Sequence, residues 1–352
     1  MPSSTSSSEP ALWRRSFCLA AGVAAGVVAV VWLFVVLVDP FDILPLSPPA
    51  NRVPVASNAR FAFPSLARST RFDSAIFGTS TSRLLRPDAL NPLFAARFVN
   101  LSMNDATVHE TAQIMAVFRR AHPSPAVVMV GLDLRWCGTG DTYLLFTGRQ
   151  FPAWMYGENR WQGYAEMLNM YAVQSAGQAF GVLAGIKPQD YGSDGYTRFV
   201  PPDSQYDRAK VARKLAEAGP SVPPGARSGP PSFWRYPALE TLRDAMAAFP
   251  PDTRKVLFFV PYHRTLFPAP GSDGALAWAE CKRRVATLAR SLPNTVAVDF
   301  MRPSPVTETN DNYWDPQHYT VATADRLARD LKRAADGLVS EDYHLLWPDH
   351  EG

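Results

Sequence analysis

The chain has 352 residues, of which 47% are hydrophobic and 19% charged, a composition that excludes a largely disordered protein. Its net charge of +3 is scattered along the chain, which argues against a nucleic-acid partner. The 32 prolines indicate many loops and turns, and exclude a simple helical bundle. The three cysteines, Cys18, Cys137 and Cys281, form no CxxC pair and no zinc-type spacing with histidine, so we expect no metal site.

The first predicted element is a membrane anchor. Residues 1–15 form a polar tail that is expected to be disordered over its first 12 positions, and the pair Arg14-Arg15 precedes an uncharged segment at residues 16–38. About 20 apolar residues cross a bilayer core of roughly 30 Å. Acidic Asp39 and Asp42 follow in place of a cleavage site, so we predict an uncleaved transmembrane helix. The alternative is a buried helix of a soluble protein.

The charges that flank this segment predict its orientation. Because basic residues precede the segment and acidic residues follow it, the positive-inside rule places residues 1–15 in the cytoplasm. The rest of the chain would then lie outside, as in a single-pass protein of a bacterial inner membrane with a periplasmic domain. That compartment permits a disulfide between Cys137 and Cys281, although two free thiols are an equal alternative from the sequence.

The remaining chain is predicted to form an α/β domain. A Pro-rich, basic linker at residues 39–70 precedes the domain at 71–340, and a tail at 341–352 follows it. Strands are predicted at residues 72–77, 97–101, 126–132, 255–260 and 295–300, and helices at 87–94, 107–120, 237–249, 275–292 and 320–335. Residues 126–132 are a continuous apolar run, as expected for a parallel strand covered on both faces, and Thr107 and Glu110 form a capping box that opens the second helix. Right-handed crossovers would wind these units into one parallel sheet.

The region at about residues 138–235 interrupts this alternation. It is rich in aromatic residues, Gly and Pro, with one helical segment near residues 161–180. It is either an insertion over the open end of the sheet, where loops of α/β folds carry ligand contacts, or an irregular bundle of loops.

A hydroxyl-rich turn follows the first predicted strand and reads Gly78-Thr79-Ser80-Thr81-Ser82-Arg83. A serine at the junction of a strand and a helix sits where a backbone N–H and a helix N-terminus stabilise an oxyanion. Most clusters of Gly, Ser and Thr are plain loops, so the turn alone predicts little. Ser80 is the better candidate nucleophile, with Ser82 as the alternative.

A nucleophilic serine needs a base, and the base needs an orienting partner. The loop between the last predicted strand and helix carries Asp315 and His318 in a D-x-x-H spacing. This spacing can place a carboxylate behind the imidazole, where it fixes the tautomer and stabilises the imidazolium. The alternative is a polar loop whose aspartate caps the following helix.

The two motifs together resemble the SGNH (GDSL-like) hydrolase and acyltransferase superfamily, over roughly residues 72–335. The resemblance implies a three-layer α/β/α sandwich with a parallel, flavodoxin-like sheet. It also implies that Ser80 is the nucleophile, His318 the base and Asp315 the orienting residue. The chain has no P-loop, no G-x-G-x-x-G and no metal-ligand constellation, so no cofactor is expected.

The same resemblance addresses the oxyanion hole. It aligns the tripeptide at residues 100–102 with the family's second block, so the backbone N–H groups of Ser80 and Ser102 would hold the oxyanion. Asp133 stands where the third block carries an amide-donating asparagine, and an ionised carboxylate would repel the negative charge. Three alternatives follow: Asp133 has another role, such as substrate binding, or Asn100 or Asn104 supplies the donor, or the site is degenerate.

Two further residues are candidates for substrate binding. Arg83 could bind an anionic group, and the alternative is a solvated arginine or one that pairs with Asp88. His263 follows a strand and could face the same cleft, and the alternative is a packed or surface histidine.

The resemblance implies a membrane-anchored exoplasmic serine esterase or O-acyltransferase. An acyl-Ser80 intermediate would pass its acyl group to water or to a sugar hydroxyl. The expected substrates are acylated cell-envelope polysaccharides or other esters, and the expected partners are the bilayer, through residues 16–38, and a multispanning membrane acyltransferase. The alternative function is a non-catalytic binding or assembly protein of the cell envelope, with a degenerate site.

Overall fold

A six-stranded, mostly parallel sheet forms the centre of this computed structural model, which describes residues 9–346 apart from 141–143, 190 and 226. The strand order is β2-β1-β3-β4-β5-β6, and only β6 is antiparallel to its neighbour. The strands are β1 Ser74–Phe77, β2 Phe98–Asn100, β3 Val127–Leu132, β4 Arg254–Phe259, β5 Thr295–Asp299 and β6 His344–Leu345. The fold is therefore mixed α/β, as predicted.

The part of the chain that the structure describes contains twelve α-helices. They are α1 Glu9–Val38, α2 Ala59–Leu66, α3 Pro87–Phe94, α4 Val108–Ala121, α5 Ala153–Tyr156, α6 Gly163–Glu166, α7 Met170–Leu183, α8 Arg208–Ala216, α9 Pro237–Ala247, α10 Asp273–Arg290, α11 Pro305–Glu308 and α12 Val321–Ala335. Helices α3 and α12 pack against each other, and α9 packs against both α4 and α10. The predicted capping box is present at the start of α4, where Thr107 and Glu110 satisfy each other's backbone N–H groups.

The predicted strands lie within two residues of their observed bounds. Strand β3 is buried along its whole length and pairs with β1 and β4, as expected for a parallel strand covered on both faces. The sixth strand is a correction to the prediction of a wholly parallel sheet. It lies in the predicted C-terminal tail and places Leu345 opposite Val298 of β5. Residues 1–8 and 347–352, which belong to the two predicted tails, lie outside the described residues.

Helix α1 begins at Glu9, earlier than the predicted residue 16. Residues Leu12–Val38 form, within the described chain, the one helix long and apolar enough to cross a membrane. Its last carbonyls are held by the guanidinium of Arg52, which donates from Nε to the carbonyl oxygen of Val38 at 2.8 Å. Arg52 also donates to Leu37, so it satisfies acceptors that a helix C-terminus leaves open.

Residues 39–70, predicted as a linker, are folded into the domain. Helix α2 is almost wholly buried, and Phe41 and Ile43 belong to the hydrophobic core. Arg60 of α2 forms a buried, two-pronged ion pair with Glu110 of α4, at 2.9 and 2.6 Å. The length and the Pro content of this segment suggested a tether, whereas its apolar side chains are used for packing.

The interrupting region at 138–235 is fastened to the domain at its start. Cys137 and Cys281 form a disulfide that joins the turn after β3 to α10, with a Cα–Cα distance of 5.4 Å. The predicted helix at residues 161–180 is divided into α6 and α7. Helix α7 packs against α1.

Candidate active site

The turn after β1 presents Ser80 at the carboxyl edge of the sheet. Gly78 has a φ of +149°, and a Cβ there would lie 2.5 Å from the Oγ of Ser82. Glycine is therefore required at this position, because a side chain would collide with the turn itself. The N–H of Arg83 donates to the carbonyl oxygen of Ser80 at 3.3 Å, which closes the turn. The side chain of Ser80 is left half-exposed.

His318 and Asp315 meet Ser80 from the far end of the chain. The Oγ of Ser80 lies 2.8 Å from Nε2 of His318, across 238 residues of sequence. The other ring nitrogen, Nδ1, lies 2.9 and 3.0 Å from the two carboxylate oxygens of Asp315. The structure therefore brings together the three residues that the sequence proposed as nucleophile, base and orienting group.

Hydrogen bonds from the carboxylate's own loop hold Asp315 in place. Its Oδ1 accepts from the backbone N–H of Gln317 at 2.9 Å and from that of His318 at 3.0 Å. Burial raises the pKa of Asp315, but the bond from the His318 ring and these backbone bonds outweigh it and lower the pKa below its usual value. Asp315 is therefore ionised at neutral pH, as an orienting carboxylate must be.

One hydrogen bond joins the Ser80 turn to the loop of Asp315 and His318, and two further bonds fix that loop. The buried hydroxyl of Tyr319 donates to the carbonyl oxygen of Thr81, one residue beyond Ser80. The backbone N–H of His263 donates to the carbonyl oxygen of Pro316 at 2.8 Å, and the N–H of Trp314 donates to that of His318, also at 2.8 Å. The geometry at Ser80 therefore rests on bonds outside the three reacting side chains.

An open cleft of about 420 Å³ lies beside Ser80. Polar side chains line much of it, among them Thr79, Thr81, Asp105, Asp133, Arg135 and Tyr262. Sequence reasoning missed the threonines and Tyr262. The threonines belong to the motif itself and could have been found there, whereas Tyr262 gave no signal apart from following a strand.

Asp133 lies in this cleft as a buried carboxylate. Its Oδ1 accepts from the backbone N–H of Arg135 at 2.9 Å, and it also contacts the hydroxyl of Thr79. Burial raises the pKa of Asp133 despite these bonds. The Asp133 side chain thus lines the same cleft as Ser80.

The predicted oxyanion donors differ in availability. The N–H of Ser102 already donates to Oδ1 of Asn100 at 3.0 Å, and the amide of Asn100 donates to three carbonyls of the turn after Ser80. Both groups therefore serve the structure of the turn, contrary to the expectation for Ser102. Asn104 is half-buried, and its Oδ1 has no partner among the described residues. The N–H of Ser80 likewise has no acceptor in the described part of the chain.

The alternative nucleophile, Ser82, points away from the cleft. Its side chain is fully buried between Gly78 and Gly131, where a Cβ on Gly131 would lie 1.8 Å from the Ser82 Oγ. This hydroxyl has no hydrogen-bond partner among the residues described. Ser82 therefore fills space behind the turn and cannot reach His318 from there.

Arg83 takes neither of the alternatives considered for it. It is buried, its Nη2 donates to the hydroxyl of Tyr191 at 3.1 Å, and its guanidinium lies over the rings of Tyr191 and Phe199. Phe199 also makes an edge contact with the ring of His318 at 5.5 Å between centroids. Asp88 pairs with Arg86. Arg83 thus supports the wall behind His318 and is not among the residues that line the cleft.

His263 is also engaged within the fold. Its two ring nitrogens lie 3.0 Å from the hydroxyl of Thr265 and 3.1 Å from Oδ1 of Asn310. Burial lowers the pKa of His263, so the ring is neutral at pH 7. Its contribution to the site is the backbone bond to Pro316.

A serine hydroxyl that is hydrogen-bonded to a histidine, which is itself paired with a carboxylate, is the arrangement that can activate the hydroxyl as a nucleophile. Among the described residues, no group of three or more His, Cys, Asp or Glu side chains could hold a metal ion. Comparison of the chain with protein-family models and with curated proteins finds no match.

Proposed function

We propose that the protein is a serine esterase or O-acyltransferase of the SGNH type. The observation that carries this proposal is the hydrogen-bonded series from Ser80 through His318 to Asp315. Nε2 of His318 is hydrogen-bonded to the Ser80 hydroxyl, and Nδ1 is hydrogen-bonded to the Asp315 carboxylate. This arrangement of nucleophile, base and orienting carboxylate is the one that activates a hydroxyl.

The proposed first half-reaction forms an acyl-enzyme. Nε2 of His318 takes the proton of Ser80 as the Oγ attacks the ester carbonyl carbon. The resulting imidazolium is stabilised by Asp315 and then donates its proton to the leaving alcohol. The C–O bond to that alcohol breaks, and the acyl group remains on Ser80.

The second half-reaction reverses these roles. His318 takes a proton from water or from a sugar hydroxyl, whose oxygen attacks the acyl carbon. The bond to the Ser80 Oγ breaks and the proton returns to Ser80. Water as acceptor releases an acid, and a sugar hydroxyl gives a new ester. The open, polar cleft supports a hydrated acceptor such as a cell-envelope polysaccharide.

The oxyanion is held in this proposal by the free N–H of Ser80 and by the side-chain amide of Asn104. The N–H of Met103 donates to the carbonyl oxygen of Gly78 at 3.0 Å, which fixes the 102–104 loop beside the turn of Ser80. Two donors provide less stabilisation than three, since each preorganised donor contributes roughly 10²–10³ in rate. We therefore expect a slow hydrolase.

The proposed architecture is a three-layer sandwich on a single-pass anchor. The pairing of α3 with α12, and of α9 with α4 and α10, supports two helical layers around the sheet. The basic pair Arg14-Arg15, which precedes the uncharged part of α1, and the Cys137–Cys281 disulfide support a cytoplasmic N-terminus and a periplasmic domain. We also propose that a multispanning acyltransferase supplies the acyl group, which rests on the family resemblance alone.

A second candidate function is a non-catalytic binding or assembly protein of the cell envelope. The observation that favours it is the buried carboxylate of Asp133 in the cleft, together with the engaged N–H of Ser102. In that case the triad geometry would persist without turnover.

Labelling with a fluorophosphonate probe distinguishes the two functions. The full chain in detergent micelles should form an adduct at Ser80 and hydrolyse p-nitrophenyl acetate. Ser80→Ala should abolish labelling and reduce hydrolysis by about 10³-fold or more. Ser82→Ala is the matched control, because it removes a buried hydroxyl that has no described partner from the same turn. A folded wild-type chain without an adduct would establish the non-catalytic alternative.

A further inference from the structure

Helix α7 lies alongside the membrane-type helix α1 and runs antiparallel to it. The ring of Tyr171, at the start of α7, stacks on Phe41 just beyond the end of α1. The ring of Phe180, near the other end of α7, makes an edge contact with Phe34 at 5.9 Å. Helix α7 therefore extends back along the last turns of α1.

The sequence of this segment is unusual for a surface helix. Residues 167–186 contain no charged side chain, and Glu166 and Lys187 flank them. Helix α7 has 14 residues and is thus about 21 Å long, too short to span a bilayer core of roughly 30 Å. Apolar helices of this length are either packed inside a protein or embedded in one leaflet of a membrane.

The burial pattern excludes an ordinary core helix. Small residues face inward, with Ala172, Ala176 and Ala179 buried. The large apolar residues at the far end face outward, because Phe180 is 51% exposed, Leu183 41% and Ile186 74%. A helix that packs into a core buries its large side chains instead.

The exposed end of α7 lies at a depth that can be derived from α1. Phe34 precedes the last residue of α1 by four positions, or about 6 Å along the helix. Leu183 is three residues beyond Phe180 on the antiparallel helix, and so lies roughly 4–5 Å deeper. The two exposed glutamines of α7, Gln174 and Gln178, precede Phe180 and lie nearer the polar surface.

Aromatic side chains also join α1 to the segment that precedes α7. The indole N–H of Trp32 donates to the carbonyl oxygen of Tyr164 at 2.7 Å, and Tyr164 stacks with the exposed ring of Trp161. The chain just before α7 is therefore also fastened to α1, at Trp32.

We propose that α7 is a re-entrant helix whose C-terminal end, from Phe180, is inserted together with the following turn up to Ile186 into the acyl chains of the outer leaflet beside α1. This inference rests on the proposed placement of α1 across a bilayer. The observations favour lipid as the occupant of the exposed apolar end, because that end is continuous with the lipid-facing surface of α1, where Leu33 and Phe34 are also exposed.

The test uses the full chain with Cys18→Ser, so that a single introduced cysteine is the reactive thiol. The fluorophore NBD is attached at Leu183→Cys or Ile186→Cys, and the protein is reconstituted in phosphatidylcholine vesicles containing lipids with spin-labelled acyl chains. Leu33→Cys on α1 is the positive control, and Leu276→Cys on α10 is the matched surface control, with a native exposure of 46% against 41% for Leu183.

We expect quenching at Leu183 and Ile186 to equal that at Leu33 and to exceed that at Leu276 at least threefold. If NBD is quenched at position 33 but not at positions 183 and 186, the inference is wrong, while the proposed membrane anchor stands. In that case water or a second protein, and not lipid, covers the exposed end of α7. The absence of quenching at Leu33 would refute the proposed anchor and the inference with it.

Discussion

Asp315→Asn tests whether the carboxylate orients His318 for chemistry. An asparagine can keep both backbone bonds, because the N–H groups of Gln317 and His318 donate to Oδ1 alone. Its amide nitrogen would replace Oδ2, which lies 2.9 Å from Nδ1 of the ring. An amide N–H₂ donates and cannot accept, so Nδ1 would lose its proton and Nε2 would carry it.

The consequence falls on Ser80. A protonated Nε2 lying 2.8 Å from the Ser80 Oγ cannot take the serine's proton. The same substitution in serine proteases lowers the rate by about 10⁴, which corresponds to roughly 5.5 kcal/mol in the barrier. We expect a loss of this size in kcat/KM for p-nitrophenyl acetate, with the melting temperature almost unchanged.

The control for this substitution is Asp311→Asn, four residues away on an exposed turn. Asp311 pairs with Arg208 at 2.5 Å on the surface, and such pairs contribute about 0–1 kcal/mol to stability. Its kcat/KM should stay within twofold of wild type. An Asp315→Asn protein that retains more than about a tenth of wild-type kcat/KM would show that His318 does not depend on this carboxylate.

The remaining predictions concern the cleft and the disulfide. Asp133→Asn should raise kcat/KM at pH 7 by about 10-fold or more, because it removes a negative charge beside the oxyanion and supplies a donor. The gain should shrink as the pH falls, since the raised pKa of Asp133 protonates the wild-type group there, and a rate unchanged at every pH would refute this role. Reduction of the Cys137–Cys281 disulfide opens the loop between two cysteines that are 144 residues apart in sequence. It should lower the free energy of unfolding by about 3–5 kcal/mol. Chemical denaturation with and without reductant measures that change. The double variant Cys137→Ala/Cys281→Ala is the control and should unfold identically with and without reductant. A wild-type unfolding midpoint that does not shift on reduction would contradict the estimate.

Local patterns predicted the elements that position the site. A continuous apolar run predicted β3, and a capping box predicted the start of α4, because both signals lie within a few neighbouring residues. The G-x-S turn and the D-x-x-H loop are also local. Their meeting depends on the order of the parallel strands, and the sequence suggested it only through the resemblance to the SGNH superfamily.

Long-range pairings explain what the sequence did not predict. The role of residues 39–70 depends on Arg60 meeting Glu110, 50 residues away, and nothing near Arg60 indicates that partner. The side-chain amide of Asn100 donates to backbone carbonyls that lie 15 to 18 residues earlier in the sequence. The residues around Asn100 therefore gave no sign that this amide is already hydrogen-bonded and is not free to bind an oxyanion. Strand β6 has two residues and exists only through its pairing with β5.

The packing of residues 39–70 would fix the distance between the proposed active site and the membrane surface. A domain on a flexible linker can reach every position within the length of the linker, so its effective concentration at any one of these positions is low. Here Arg52 fastens the end of α1, and α2 is buried in the domain. With α1 across a bilayer, as proposed, Ser80 would keep a constant distance from the membrane surface. The enzyme would search a thin layer parallel to the bilayer by lateral diffusion, and would modify only the part of a long polymer that passes through that layer.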